Sequence, residues 1–165
     1  MLRIIVLVLS VALANVVMGD DFESDKPQCV LNYGATLPDF PCNGYLSTDS
    51  RCNNSFLNIA NTPFYGCSNV SLFWNYPMQN LTITIEAANY AKLKQPYTVS
   101  SNDAFSFPVY RVYPNGKEVL ISRRTATPVA QRSDENYQVV LKFQGPKRLT
   151  FYGASIEYQV APAYN

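Results

Sequence analysis

Strand-like alternation of apolar and polar residues sets in near residue 70 and runs close to the end of the chain. Leu81, Ile83, Ile85 and Ala87 alternate with Thr82, Thr84 and Glu86, and Tyr137, Val139, Leu141 and Phe143 alternate with Gln138, Val140 and Lys142. A period of two turns successive side chains to opposite faces of a strand, so each segment offers one apolar face to a core and one mostly polar face to water. Antiparallel sheets with one solvated side carry this pattern. A hairpin is predicted where residues 105–113 and 117–122 flank Pro114-Asn115-Gly116. Pro114 presets φ for the turn, and Gly116 can adopt the left-handed conformation that closes it. In that register Phe105, Phe107, Val109, Val119 and Ile121 share the face expected in the core, while Tyr110, Val112, Glu118, Leu120 and Arg124 share the less apolar one.

Toward the C-terminus the phase slips. Leu149 and Phe151 stand in one phase, Ala154, Ile156, Tyr158 and Val160 in the other, with Gly153 between them. A bulge at Gly153 is expected to turn both sets into one core. The segment from Cys29 to Cys67 is rich in Asn, Ser, Gly and Pro, with short apolar pieces at residues 30–33 and 56–59, and reads as loops held by disulfides. The one helical candidate, residues 87–94, is too short to alter the class. About eight short strands separated by turn signals predict an all-β protein, a single antiparallel β-sandwich of jelly-roll or immunoglobulin-like topology over residues 29–165 with a disulfide-stapled N-terminal loop region.

The N-terminus predicts an address. Arg3, an apolar run over residues 4–13 interrupted by Ser10, and Val17-Met18-Gly19 have the order of a secretory signal, residues 1–19, with cleavage expected after Gly19 or, second, Ala14. The apolar stretch is shorter than the ~20 residues a membrane span needs. Asp20, Asp21, Glu23 and Asp25 follow, and residues 20–28 read as an acidic flexible arm. In an oxidising compartment the four cysteines, Cys29, Cys42, Cys52 and Cys67, are expected to pair. Loop-closure entropy disfavours the interleaved pattern and slightly favours Cys29 with Cys42 and Cys52 with Cys67 over the nested one. Asn53-Asn54-Ser55, Asn69-Val70-Ser71 and Asn80-Leu81-Thr82 match the N-glycosylation acceptor, marking Asn53, Asn69 and Asn80 as glycan sites at exposed turns.

Composition removes several chemistries. Only 15% of the 165 residues are charged and 47% are hydrophobic, which argues for a packed domain and against a disordered or nucleic-acid-binding chain. There is no histidine, so a Ser-His-Asp triad, a Cys-His pair and His-ligated metal sites are excluded. No cysteine pair has the two-residue spacing of a zinc site, and no glycine-rich phosphate loop occurs. Asp103, Glu118, Asp134, Glu135 and Glu157 could supply a carboxylate pair, but their predicted turn and outward positions read as solvated charge. No enzyme, metal or cofactor is expected.

Charge is uneven along the chain. Residues 20–86 hold seven acids and two bases, residues 87–165 five acids and ten bases. Either the two halves interleave on folding and the asymmetry vanishes, or Arg123, Arg124, Arg132, Lys147 and Arg148 form a basic patch for an anionic glycan, membrane surface or acidic protein. Among the 12 tyrosines, Tyr110, Tyr97 and Tyr113 are candidate platforms for sugar rings, which suit a flat apolar face with a polar tip. The expectation is a secreted, glycosylated, non-catalytic binding module for carbohydrate or an anionic extracellular ligand. A structural coat or matrix component and a lipid-carrying sandwich are the alternatives.

Overall fold

The structure, a computed structural model, describes residues 32–35, 42–48, 52–60, 68–86, 95–101, 106–123, 128–150 and 152–163, without side-chain detail at 32–35 and 60. The signal segment, the acidic arm, Cys29, Cys67, Phe105, Arg124, Phe151 and the helical candidate at 87–94 lie outside the described residues. Eleven strands are described: β1 (Asn32–Ala35), β2 (Asn43–Ser47), β3 (Asn54–Ala60), β4 (Asn69–Asn75), β5 (Asn80–Glu86), β6 (Tyr97–Ser101), β7 (Pro108–Val112), β8 (Glu118–Arg123), β9 (Val129–Arg132), β10 (Gln138–Gln144) and β11 (Gly153–Pro162). They form two sheets, ordered β1-β2-β4-β11-β6-β9 and β3-β5-β10-β7-β8, packed as a β-sandwich. None of the described residues forms a helix long and apolar enough to cross a membrane.

The core follows from the alternation. Leu81, Ile83 and Ile85 of β5 and Val139, Leu141 and Phe143 of β10 are buried and paired in register, Ile83 opposite Leu141. Val70, Leu72 and Trp74 of β4 meet Tyr158, Ile156 and Ala154 of β11 in the same way. Each fully buried side chain of this size contributes about 1.5–3 kcal/mol. Trp74 sits edge-on to Phe107 with ring centroids 5.2 Å apart. Because the chain crosses between sheets after most strands, the acidic and basic stretches of sequence end up side by side: β4 pairs with β11 and β5 with β10. The sequence halves are not spatial halves.

The hairpin forms as expected. The Gly116 N–H donates to the Tyr113 carbonyl (2.8 Å) and the Tyr113 N–H to the Lys117 carbonyl (2.9 Å), with Gly116 at φ 78°. Phe107 and Val109 are buried, whereas Val119 and Ile121 are only half-buried. A register shift between Val109 and Tyr110 puts Ser122 opposite Val109 and Leu120 opposite Tyr110, so Ser122 takes a buried place.

Three expectations are corrected. The sandwich is not purely antiparallel: β2 runs parallel to β4 and β3 parallel to β5. The 29–67 region is not merely looped but supplies β1, β2 and β3, with Leu46, Ser55 and Ile59 buried. Backbone hydrogen bonding to neighbours already present satisfies short polar segments that could not form a sheet alone. The C-terminal slip is no strand bulge, because β11 begins at Gly153 in even register with β4 and Leu149 remains exposed in the preceding loop.

One end of the sandwich is locked by polar groups. The Arg111 side chain, pointing inward from β7, is buried and donates through Nη2 to the Gln138 carbonyl (2.8 Å) and to Asp134 Oδ2 (3.3 Å). Burial lowers its pKa, and Asp134 opposes that shift. Asp134 Oδ1 accepts the Asn136 and Gln138 N–H groups at 2.9 and 3.0 Å, fixing a turn in which Tyr137 has φ 57°. The Tyr97 hydroxyl donates to the Ile85 carbonyl at 2.7 Å and lies 2.9 Å from the Tyr137 carbonyl. Burial pushes the Tyr97 pKa well above the usual phenol range against the opposing field of Arg111.

Candidate functional site

The outer face of the six-stranded sheet is where a strand's water-facing phase departs from being polar. In β4, Asn69, Ser71, Phe73 and Asn75 point away from the core. Phe73 is paired with Tyr45 of β2 and with Ser155 of β11. Tyr45 is 52% exposed and Phe73 44%. Beyond the strand ends stand Tyr76 and Tyr152, 55% and 83% exposed, with ring centroids 6.3 Å apart in an edge-on contact. The Tyr76 N–H donates to the Tyr152 carbonyl at 2.7 Å, and Tyr76 has φ 47°. A non-glycine residue with left-handed backbone is uncommon and is held by its surroundings.

Gly153 connects the two pairs. The Phe73 ring lies across it, and any Cβ at residue 153 would collide with ring atoms Cε1 and Cζ. Tyr45, Phe73, Tyr76 and Tyr152 are four of the seven exposed large hydrophobic residues among those described, and they follow one face and its end. Single exposed apolar residues need no explanation, whereas a run of them marks an interaction surface.

Next to this run the same face becomes polar. Asn43, Asn69, Ser71, Ser100, Glu157 and Gln159 line an open cleft of about 180 Å³. Cross-strand register explains their meeting, since Ser71 is opposite both Asn43 and Glu157, and Gln159 is opposite both Asn69 and Ser100. Ser71 Oγ donates to Glu157 Oε1 at 3.3 Å. Stacking faces beside amides, hydroxyls and a carboxylate can hold a polyhydroxylated ring by its apolar face and its hydroxyls at once.

The sequence-derived candidates fall elsewhere. Tyr97 belongs to the core, so its expected role as an exposed platform is overturned: the residue is 5% exposed and its hydroxyl is spent on main-chain carbonyls. Tyr110 is half-buried on the other sheet, with its hydroxyl donating to Gln144 at 3.2 Å. Tyr113 is exposed beside the hairpin turn, and the Arg111 guanidinium lies 5.4 Å from its ring centre. Arg123 ends β8 opposite Pro108, at the end of the sandwich where β10 finishes at Gln144 and the loop carrying Lys147 and Arg148 begins. Tyr76 and Tyr152 stand at this end too. Arg132 ends β9 opposite Thr98, just ahead of the turn that starts β10, and therefore lies at the opposite end. Arg124 is outside the described residues. Neither Cys42 nor Cys52 is a free thiol.

Tyr45, Phe73, Tyr76 and Tyr152 are not among the candidates that the sequence pattern marks. For Phe73 a signal existed: an aromatic residue occupies the polar phase of Asn69, Ser71 and Asn75, where burial cannot account for it. Tyr45 and Tyr152 carry no such local mark, because only strand pairing brings them to Phe73. No known protein family matches the chain, and no curated protein is significantly similar to it.

Proposed function

We propose that this protein is a secreted, glycosylated, disulfide-stapled and non-catalytic carbohydrate-binding module, whose ligand lies on the outer face of the six-stranded sheet. The observation that carries this reading is the two pairs of exposed rings, Tyr45 with Phe73 on the sheet face and Tyr76 with Tyr152 beyond the strand ends, with Gly153 beneath the Phe73 ring, beside the polar cleft. Sugar rings stack through their C–H faces on Tyr45 and Phe73, while Asn43, Ser71, Glu157 and Gln159 exchange hydrogen bonds with their hydroxyls. Lys147, Arg148 and Arg123 give the Tyr152 end a positive field that draws in acidic glycans. The inter-sheet space holds packed side chains such as Trp74, Phe107 and Phe143, so the outer face is favoured here over lipid carriage.

The experiment is a glycan array probed with the secreted protein before and after enzymatic deglycosylation. A saccharide signal in either form is expected, weakened at least about tenfold, or roughly 1.4 kcal/mol, by Phe73→Ala or Tyr152→Ala. Silence across the array in both forms, or variants that bind like wild type, would overturn the reading and favour a structural coat or matrix role.

A further inference from the structure

Folding makes the three glycosylation acceptors unequal. Asn80 projects from the five-stranded sheet, where its Nδ2 donates to Asn54 Oδ1 at 3.0 Å. Asn53 is exposed just before β3, and Ser55, the third residue of its tripeptide, is buried. Asn69 is different in kind. It opens β4, and residues two apart on a strand share a face, so Asn69 and Ser71 both stand on the outer face of the six-stranded sheet. Both line the polar cleft. The side-chain amide of Asn69 is exposed and, among the described residues, makes one long hydrogen bond, 3.5 Å to Ser68 Oγ.

We propose that Asn69 carries an N-linked glycan whose first sugar fills this cleft, making the protein's own carbohydrate the regulator of the aromatic site. The inference rests on the carbohydrate-binding reading above. The covalent step joins Asn69 Nδ2 to C1 of an oligosaccharide supplied as a lipid diphosphate donor. The N–C1 bond forms, the C1–O bond to the diphosphate breaks, the lipid diphosphate leaves with the electron pair, and Nδ2 loses one proton.

The tether explains why this sugar and no other takes the cleft. An open space of about 180 Å³ accommodates a sugar ring, and its walls bear the donors and acceptors that an N-acetylated sugar needs: Asn43, Ser71, Ser100, Glu157 and Gln159. Phe73 is four residues further along β4, about 13 Å at ~3.3 Å per residue, a span that the next few sugars of a glycan cover. A glycan running along the strand therefore reaches the Tyr45–Phe73 pair. Tethering of this kind gives an effective concentration in the millimolar range, so free glycans of weaker affinity are displaced from these rings. Binding then depends on whether Asn69 is occupied, with the Tyr76–Tyr152 end left open.

The full chain is secreted from a glycosylating host as wild type, Asn69→Gln, Phe73→Ala and Tyr45→Ala. Glycopeptide mass spectrometry and release by a peptide N-glycosidase under native conditions are measured. Asn69 is expected to be occupied, with its glycan released about tenfold faster from folded Phe73→Ala or Tyr45→Ala than from wild type, as expected when a stacking contact is lost. An unmodified Asn69 in the secreted protein, or release rates unaffected by both substitutions, overturns the proposal. The Asn69→Gln protein on the glycan array separates the two readings. A gain of signal over wild type supports regulation, and an equal signal refutes regulation while leaving carbohydrate binding intact. Silence of that variant refutes regulation together with binding of external sugar, even where the wild-type Asn69 glycan is protected, and then only the seating of the glycan in the cleft stands.

Discussion

Replacing Asp134 with alanine should destabilise the fold far more than replacing its partner Arg111 with methionine. The Arg111 side chain is 1% exposed and that of Asp134 11%. Without Asp134, the guanidinium keeps the Gln138 carbonyl at 2.8 Å and the face of Tyr113, but remains a buried charge without a counter-charge among the described residues. Breaking a buried pair in this way costs about 3–5 kcal/mol. That is a large share of the 5–15 kcal/mol by which a domain is roughly stable. Two main-chain donors, Asn136 and Gln138, lose their acceptor as well. Methionine at 111 instead removes the charge that must be solvated and keeps much of the volume, while Asp134 retains both main-chain donors, so a cost below about 2 kcal/mol is expected. In urea, where m is about 2 kcal/mol/M for a domain of this size, Asp134→Ala should lower the midpoint by about 1.5–2.5 M. The double variant should recover part of that loss. If Asp134→Ala costs less than about 1 kcal/mol, or if Arg111→Met fails to rescue it, burial of an unpaired guanidinium is not what holds this end together.

Further outcomes follow from other contacts. Burial holds the Tyr97 phenol neutral in the fold, so the unfolded chain releases that proton first as pH rises through about 10; the stability contributed by Tyr97 is full below that pH and declines above it. Ultraviolet titration should show Tyr97 silent until the protein unfolds, and full ionisation of every tyrosine without loss of near-ultraviolet dichroism would contradict this. Gly153→Ala should displace the Phe73 ring and cost about 1–3 kcal/mol in thermal unfolding; on a Phe73→Ala background the same substitution should cost less, with the close approach to the Trp74 carbonyl left. On a sulfated-glycan column at low salt, Lys147→Ala with Arg148→Ala should shorten retention more than Arg132→Ala, because Arg132 lies at the other end of the sandwich; equal effects would mean no localised field. Thiol titration of the denatured, unreduced protein should find no reactive sulfur, consistent with two disulfides, and two or more would refute that pairing.

What could be read from the chain was whatever repeats at short range. The alternation in β5 and β10, the Pro114-Asn115-Gly116 turn and the apolar phase of β11 each need only a few neighbours to declare themselves, and all three stand as expected in the fold. The absence of histidine is equally legible, since it depends on no geometry. Pairing between distant segments was not. The parallel contacts of β2 with β4 and of β3 with β5 have no turn to announce them, and the short β1 and β2 are held by pairing, β1 with β2 and β2 with β4. Burial of Arg111 could not be read from a residue type that is nearly always exposed; Asp134 and the Gln138 carbonyl, brought there by β10, make it tolerable. The same rule separates the tyrosines. Composition announces an aromatic-rich chain, but tertiary packing turns Tyr97 inward and Tyr45 outward, because a ring goes to whichever face its strand presents once register is set by hydrogen bonds to a neighbour from elsewhere in the sequence.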